Sequence, residues 1–261
     1  MKINITFLLI CFCVHITNAQ LTESSLSDLN PIEISLKTTD QTEIKKKRRN
    51  LFTKRIIPFT LIASGILLST SDFEESLQSD IRGYTGDDFY LNIDDYTRYA
   101  PILQMYAADI FGVKARNHWF DQTKNLLIST LVTSAATTIL KKEVDKARPG
   151  DPSQLNSFPS GHTSMAFVSA AVLYEEFIDS SPILAYSGYL FAVTTGSLRM
   201  MNNKHYLSDV LVGAGIGILT TRLVYHYEHL ISWNPFKKMD DMAFLPQFTG
   251  EGVGLYFSKS F

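Results

Sequence analysis

Residues 125–149 read NLLISTLVTSAATTILKKEVDKARP. The first part, Asn125 to Leu140, carries no charge, contains neither Gly nor Pro and is rich in Leu, Ile and Ala, which reads as one apolar helix. Charge then arrives at once: Lys141, Lys142, Lys146 and Arg148 crowd the helix end, and Pro149 stops it. Apolar helices beside polar clusters recur outward in both directions. Charge-free windows lie at 56–71, 180–198 and 210–221, and apolar stretches run from Tyr99 to Ala108 and from Met165 to Tyr174. The expected fold is all-α, a bundle of about six helices. A short β-like C-terminal tail follows, because Gly252 to Phe257 alternates as a strand does.

Composition bounds the rest. With 261 residues, 45% hydrophobic and 19% charged, the chain is neither a disordered nor a fibrous polymer. Its 24 Lys+Arg nearly balance 26 Asp+Glu, so no bulk field attracts nucleic acid and that function class drops out. Residues 1–19 read as a signal peptide: Lys2 precedes the apolar run Ile3 to Val14, and Thr17-Asn18-Ala19 offers a small-residue cleavage site. Cys11 and Cys13 leave with it, so the mature chain has no disulfide, no Cys zinc site and no thiol nucleophile. Residues 20–50 form a flexible polar leader ending in the basic run Lys45 to Arg49, residues 51–232 a helical domain, and residues 233–261 a C-terminal tail. Between the first two helices, residues 72–98 hold Asp72, Glu74, Glu75, Asp80, Asp87, Asp88, Asp94 and Asp95 at irregular spacing without the calcium-loop pattern, which reads as a solvated loop.

Three clusters carry groups suited to a tetrahedral oxyanion. In the first, Lys141 and Arg148 stand seven apart, two helical turns and one face, offering a point charge and a planar fork to a phosphate. The second is Ser157-Phe158-Pro159-Ser160-Gly161-His162-Thr163-Ser164, directly before an apolar helix. A Ser-Gly turn there exposes backbone N–H groups and supplies a hydroxyl, and His162 stands where it can protonate a leaving oxygen. The third runs from Arg199 through His205 to Asp209, again leading into an apolar helix. A helix beginning by His205 puts Asp209 one turn on, where its carboxylate holds one imidazole nitrogen and leaves the other to attack. The remaining histidines, His118, His226 and His229, lack the spacing of a zinc motif.

Together the set resembles the signature of the type 2 phosphatidic acid phosphatase and vanadium haloperoxidase superfamily. It stands here as Lys141, Arg148 and Pro149, then Pro159 to His162, then Arg199, His205 and Asp209, across roughly Leu126 to Arg222. One departure is Leu198, which occupies the position where the family usually has Ser directly before the Arg; the serine here is Ser197. The resemblance implies an all-helical core and a metal-independent, two-step phosphate-monoester hydrolysis through a phosphohistidine. It makes His205 the nucleophile, Asp209 its orienter and His162 the acid and base, with Lys141, Arg148, Arg199, Ser160 and the Gly161 N–H holding the phosphoryl oxygens. No cofactor is implied. Three cations around a dianion supply the charge stabilisation that phosphoryl transfer chiefly needs.

The expected substrate is a phosphorylated lipid, with a small phosphate ester as the alternative; the apolar helices and basic leader point to membrane association. A soluble periplasmic acid phosphatase, a vanadate haloperoxidase and a non-catalytic envelope protein are the other readings, and oligomeric state is left open. Topology sets two inferences against each other. A cleaved signal followed by three spanning segments puts the catalytic ends in the cytoplasm, whereas the family's membrane members place this site outside. The expected placement is periplasm-facing and membrane-associated.

Overall fold

The computed structural model describes residues 56–236, 242–249 and 252–259. The signal-peptide and leader readings, 1–19 and 20–50, lie outside the described residues. Among the described residues eight α-helices carry the fold: α1 Ile56–Leu68, α2 Asp72–Thr85, α3 Asp94–Thr97, α4 Ala100–Ile110, α5 Trp119–Val144, α6 Gly161–Phe177, α7 Pro182–Met201 and α8 Leu207–Tyr227, closed by a 3-10 turn at Glu228–Ile231. Six of them are the expected helices. The other two, α2 and α3, occupy the acidic stretch that reads as a solvated loop, and the chain turns 92° between α1 and α2.

Local chemistry explains the two unexpected helices and their placement. Ser71 caps α2 by accepting the Glu74 N–H at 3.2 Å, and Asp72, Glu74 and Glu75 sit in its first turn, where the helix dipole favours negative charge. Helical spacing then turns Glu74 and Gln78 into the protein, and both are buried. Asp94, at the start of α3, is buried as well.

The core is built around α6, whose residues from Thr163 to Phe177 are buried almost without exception. Val168, Val172, Leu173 and Phe177 pack with Met105 of α4, Ala185 of α7 and Tyr225 of α8. A second cluster joins Ala166, Phe167 and Ala170 of α6 to Ala192 of α7 and to Ala214 and Ile218 of α8. Close approach of α6 and α8 requires glycine: a Cβ on Gly213 would lie 2.7 Å from the Ser160 carbonyl oxygen, and one on Gly217 2.5 Å from that of Ser164. The N-terminus of α6 is thereby pressed against the first turns of α8, and both ends carry motif residues.

Helix α5 is patterned inside out. Its buried residues are Asp121, Gln122, Asn125, Ser129, Thr133 and Thr137, at helical spacing, while Leu127, Leu131 and Ile139 are 57%, 59% and 61% exposed. Thr133 meets Thr220 of α8 hydroxyl to hydroxyl, and Asn125 donates to Glu228 at 3.2 Å. Ile183 and Leu190 of α7 likewise face outward.

The tail forms two strands where one was expected. β1, Met242–Thr249, and β2, Gly252–Lys259, pair antiparallel from Met242 opposite Lys259 to Thr249 opposite Gly252.

Candidate active site

His205 lies in the connection between α7 and α8 and is 2% exposed. The helix begins at Leu207, two residues later than the spacing argument assumed. Tyr206 is the N-cap, and its N–H donates to Asp209 Oδ2 at 2.9 Å. The His–Asp pair forms all the same, with His205 Nδ1 3.4 Å from Asp209 Oδ2, an ion-pair separation longer than a short hydrogen bond. Ser157 Oγ also lies 3.4 Å from Nδ1 and donates to Asp209 Oδ2. The Nε2 atom has no hydrogen-bond partner among the described residues. Burial lowers the imidazole pKa to about 4 against the pull of Asp209, with Arg199 and Lys141 adding to the lowering. His205 is therefore a neutral imidazole at neutral pH.

Cations converge on the His205–Asp209 pair from three elements. Arg199, in the last turn of α7, is buried; its Nη1 donates to Asp94 Oδ2 at 2.6 Å, and its Nε is a buried donor with no partner. Lys141 and Arg148 do meet, but by a route the sequence reading did not foresee. Helix α5 ends at Val144, where Asp145 takes the left-handed conformation at φ 45°, well before Pro149. Arg148 is thus in the following loop, not on the helical face of Lys141. That loop folds back through Ser157 N–H to Lys146 C=O at 2.9 Å, so Asn156 receives both cations: Lys141 on its carbonyl and Arg148 Nε on its side-chain oxygen at 2.8 Å. Burial, then the Arg199 charge, lowers the Arg148 pKa.

The second motif opens α6. Ser160 is the N-cap, with its Oγ accepting from the Thr163 hydroxyl at 2.9 Å, and its N–H donates to the Asp209 carbonyl at 3.0 Å. At Gly161 an added Cβ would meet nothing within 4 Å, so the protein leaves open space beside the first N–H groups of α6. His162 Nε2 lies 2.7 Å from Asp95 Oδ1, and this contact holds the Asp95 carboxyl below its ordinary value.

Five residues outside the expected set complete the arrangement: Glu74, Asp94, Asp95, Lys146 and Ser157. All stand in stretches quoted from the sequence, and none carried a local signal, because each acts on a partner distant along the chain. Asp94, Asp95 and His162 offer ligand atoms within 4.8 Å of one another, the single grouping of metal-ligating type among the described residues. Asp94 there already accepts from Arg199 and from Asn202, so this carboxylate is charge-compensated within the protein. Beside Arg148 opens a recess of about 290 Å³ lined by Asp88, Tyr90, Gln154, Asn203 and Lys204 among others.

Residues 122–233 match the model of the PAP2 superfamily. This region belongs to the PAP2 superfamily. The motif residues of the PAP2 domain from Lys141 to Asp209 all fall inside the matched segment. A lipid A 1-phosphatase of Porphyromonas gingivalis is 31% identical over 176 residues, covering 67% of this chain and 39% of that protein, so the chain spans well under half the length of this curated relative. Two solved structures are similar at lower identity. One is the crystal structure of Aquifex aeolicus LpxE, 22% identical with a TM-score of 0.46, covering 61% of this chain and 99% of that one. The other is the first transmembrane PAP2 type phosphatidylglycerolphosphate phosphatase from Bacillus subtilis, 20% identical with a TM-score of 0.48, covering 69% and 99%.

Proposed function

We propose that this chain is a phosphatase of phosphorylated lipids that works through a phosphohistidine on His205 and needs no metal. The observation that carries the reading is the convergence of Lys141, Arg148 and Arg199, whose buried Nε lacks a partner, on the buried His205–Asp209 pair. An unpaired buried guanidinium donor is costly unless an anion completes it.

In the first step His205 Nε2 attacks phosphorus, the P–O bond to the alcohol breaks, and His162 gives its proton to the departing oxygen. With Nε2 of His162 on Asp95, that proton passes from Nδ1. Asp209 stabilises the charge that develops on His205. In the second step His162 takes a proton from water, the water oxygen attacks phosphorus, and the P–N bond breaks to release phosphate. Lys141, Arg148, Arg199, the Ser160 hydroxyl and the Gly161 N–H hold the phosphoryl oxygens throughout.

The lipid part of the reading is supported by the inside-out pattern of α5 and the outward-facing Ile183 and Leu190 of α7, which suit an apolar surrounding. The similarity to a lipid A 1-phosphatase supports a glycosyl phosphate headgroup, for which the recess beside Arg148 supplies an aromatic ring, carboxylates and amides. The same faces suit membrane association, and a periplasm-facing site is the placement we assign, on the resemblance to membrane members of the family that place this site outside.

The deciding experiment is phosphate release by purified protein from a lipid glycosyl 1-phosphate, phosphatidylglycerophosphate and a soluble aryl phosphate, with and without EDTA, beside His205→Ala. The reading requires EDTA-resistant release from lipid that vanishes in the variant. Release only from the aryl ester would make the protein a broad acid phosphatase, and unchanged release by His205→Ala would overturn the nucleophile.

A further inference from the structure

Beneath the proposed nucleophile lies a chain of three charges that phosphate binding does not use. Lys146 Nζ sits 2.8 Å from Glu74 Oε2, 3.1 Å from Asp209 Oδ1 and 2.7 Å from Ser208 Oγ, which occupies all three of its N–H donors. Glu74 is 2% exposed, Asp209 0% and Lys146 9%, so water screens none of them appreciably. Glu74 also accepts from the Ser208 N–H at 2.9 Å on Oε1 and from the Thr70 N–H at 3.0 Å on Oε2. The Lys146 ammonium also stands 4.6 Å from the centre of the Tyr206 ring. Helix α2, the loop after α5 and the start of α8 meet at this one ammonium.

We infer that Glu74 and Lys146 are positioning residues that set how much negative charge Asp209 presents to His205. A Lys146–Asp209 pair alone would be neutral, and the imidazolium formed at His205 would face an already satisfied carboxylate. By drawing part of the ammonium toward itself, Glu74 leaves the trio with a net charge of about −1. The surplus lies on the side of Asp209 that meets His205. The groups facing His205 are Asp209 of α8, Ser157, Lys141 of α5 and Arg199 of α7; the outer charges Lys146, Glu74 and Arg148 act on it through Asp209. The inference rests on His205 being the nucleophile but is testable without turnover.

The arrangement makes a prediction of opposite signs. Removing the negative charge with Glu74→Gln lowers the His205 pKa, and removing the positive charge with Lys146→Met raises it, each by on the order of half to one unit. The experiment is an NMR titration of ¹⁵N-histidine-labelled full-length protein, with kinetics on a soluble aryl phosphate alongside. For Glu74→Gln we expect kcat to fall about three- to tenfold with KM within twofold, one pKa unit being a factor of ten. A purely structural staple would lower the melting temperature and leave the His205 titration in place. Displacements of opposite sign support the inference; shifts of the same sign, or none above about 0.2 units, overturn it. Should Lys146→Met fail to fold, Glu74→Gln decides alone: a downward shift supports, no shift overturns. If the wild type releases no phosphate but the titrations move as expected, the functional reading fails and the electrostatic one stands.

Discussion

Arg199 has two roles in one side chain: Nη1 is fixed on Asp94, while the buried Nε has no partner. A planar fork anchored at one edge presents its other edge in a fixed direction, which lysine cannot reproduce. Arg199→Lys is therefore expected to lose about 10–100-fold in kcat/KM on an aryl phosphate. The buried, neutral state of His205 makes a second prediction. Its pKa is lowered to about 4, so the proposed nucleophile stays unprotonated above that value, and kcat/KM on an aryl phosphate is expected to fall as pH drops through about 4 and not through the ordinary histidine range. A pH–rate profile with its acid limb near 6.5, the unperturbed value, would contradict this environment. The residues of the site were legible from sequence because they stand in three short runs whose internal spacing is local. Glu74 and Lys146 were not, since one ammonium between carboxylates at positions 74 and 209 is a fact of tertiary packing that no local period encodes.

Helices show the same division. The uncharged windows marked α1 and α4 through α8, because helix-length apolar runs survive whatever the tertiary context. Acidic spacing hid α2 and α3: eight carboxylates between positions 72 and 98 look solvated until Glu74 and Asp94 find Lys146 and Arg199. The end of α5 was misjudged for a related reason, as Pro149 is a stop signal but Asp145, in the left-handed conformation, already ends the helix. The packing of α6 on α8 gives a prediction for elements. Gly217→Val places side-chain atoms against the Ser164 carbonyl and Val168 and should destabilise the protein by about 1–3 kcal/mol, read as a lowered midpoint of unfolding in detergent. Gly83 of α2, where a Cβ meets nothing within 4 Å, is the control, and Gly83→Ala should leave the midpoint unchanged or raise it.

For the molecule as a whole, apolar side chains point both ways. Val168, Val172 and Leu173 fill the centre, while Leu127, Leu131, Ile183 and Leu190 cover the outside of α5 and α7. Leu131→Lys with Leu190→Lys should shift the protein from the membrane pellet toward the soluble fraction and reduce activity on vesicle-borne substrate at least several-fold, with the aryl phosphate rate retained. Equal loss on both substrates would assign those side chains to the fold and not to the lipid surface. Helix α6 bears on a different question, the durability of such an enzyme. Its N-cap and first turn carry Ser160 to His162 and its remaining length is the centre of the core, so no hinge separates the candidate site from the scaffold. Heat inactivation should then coincide with global unfolding, and variants selected solely for residual activity after heating should accumulate their changes along α6 and the glycine face of α8.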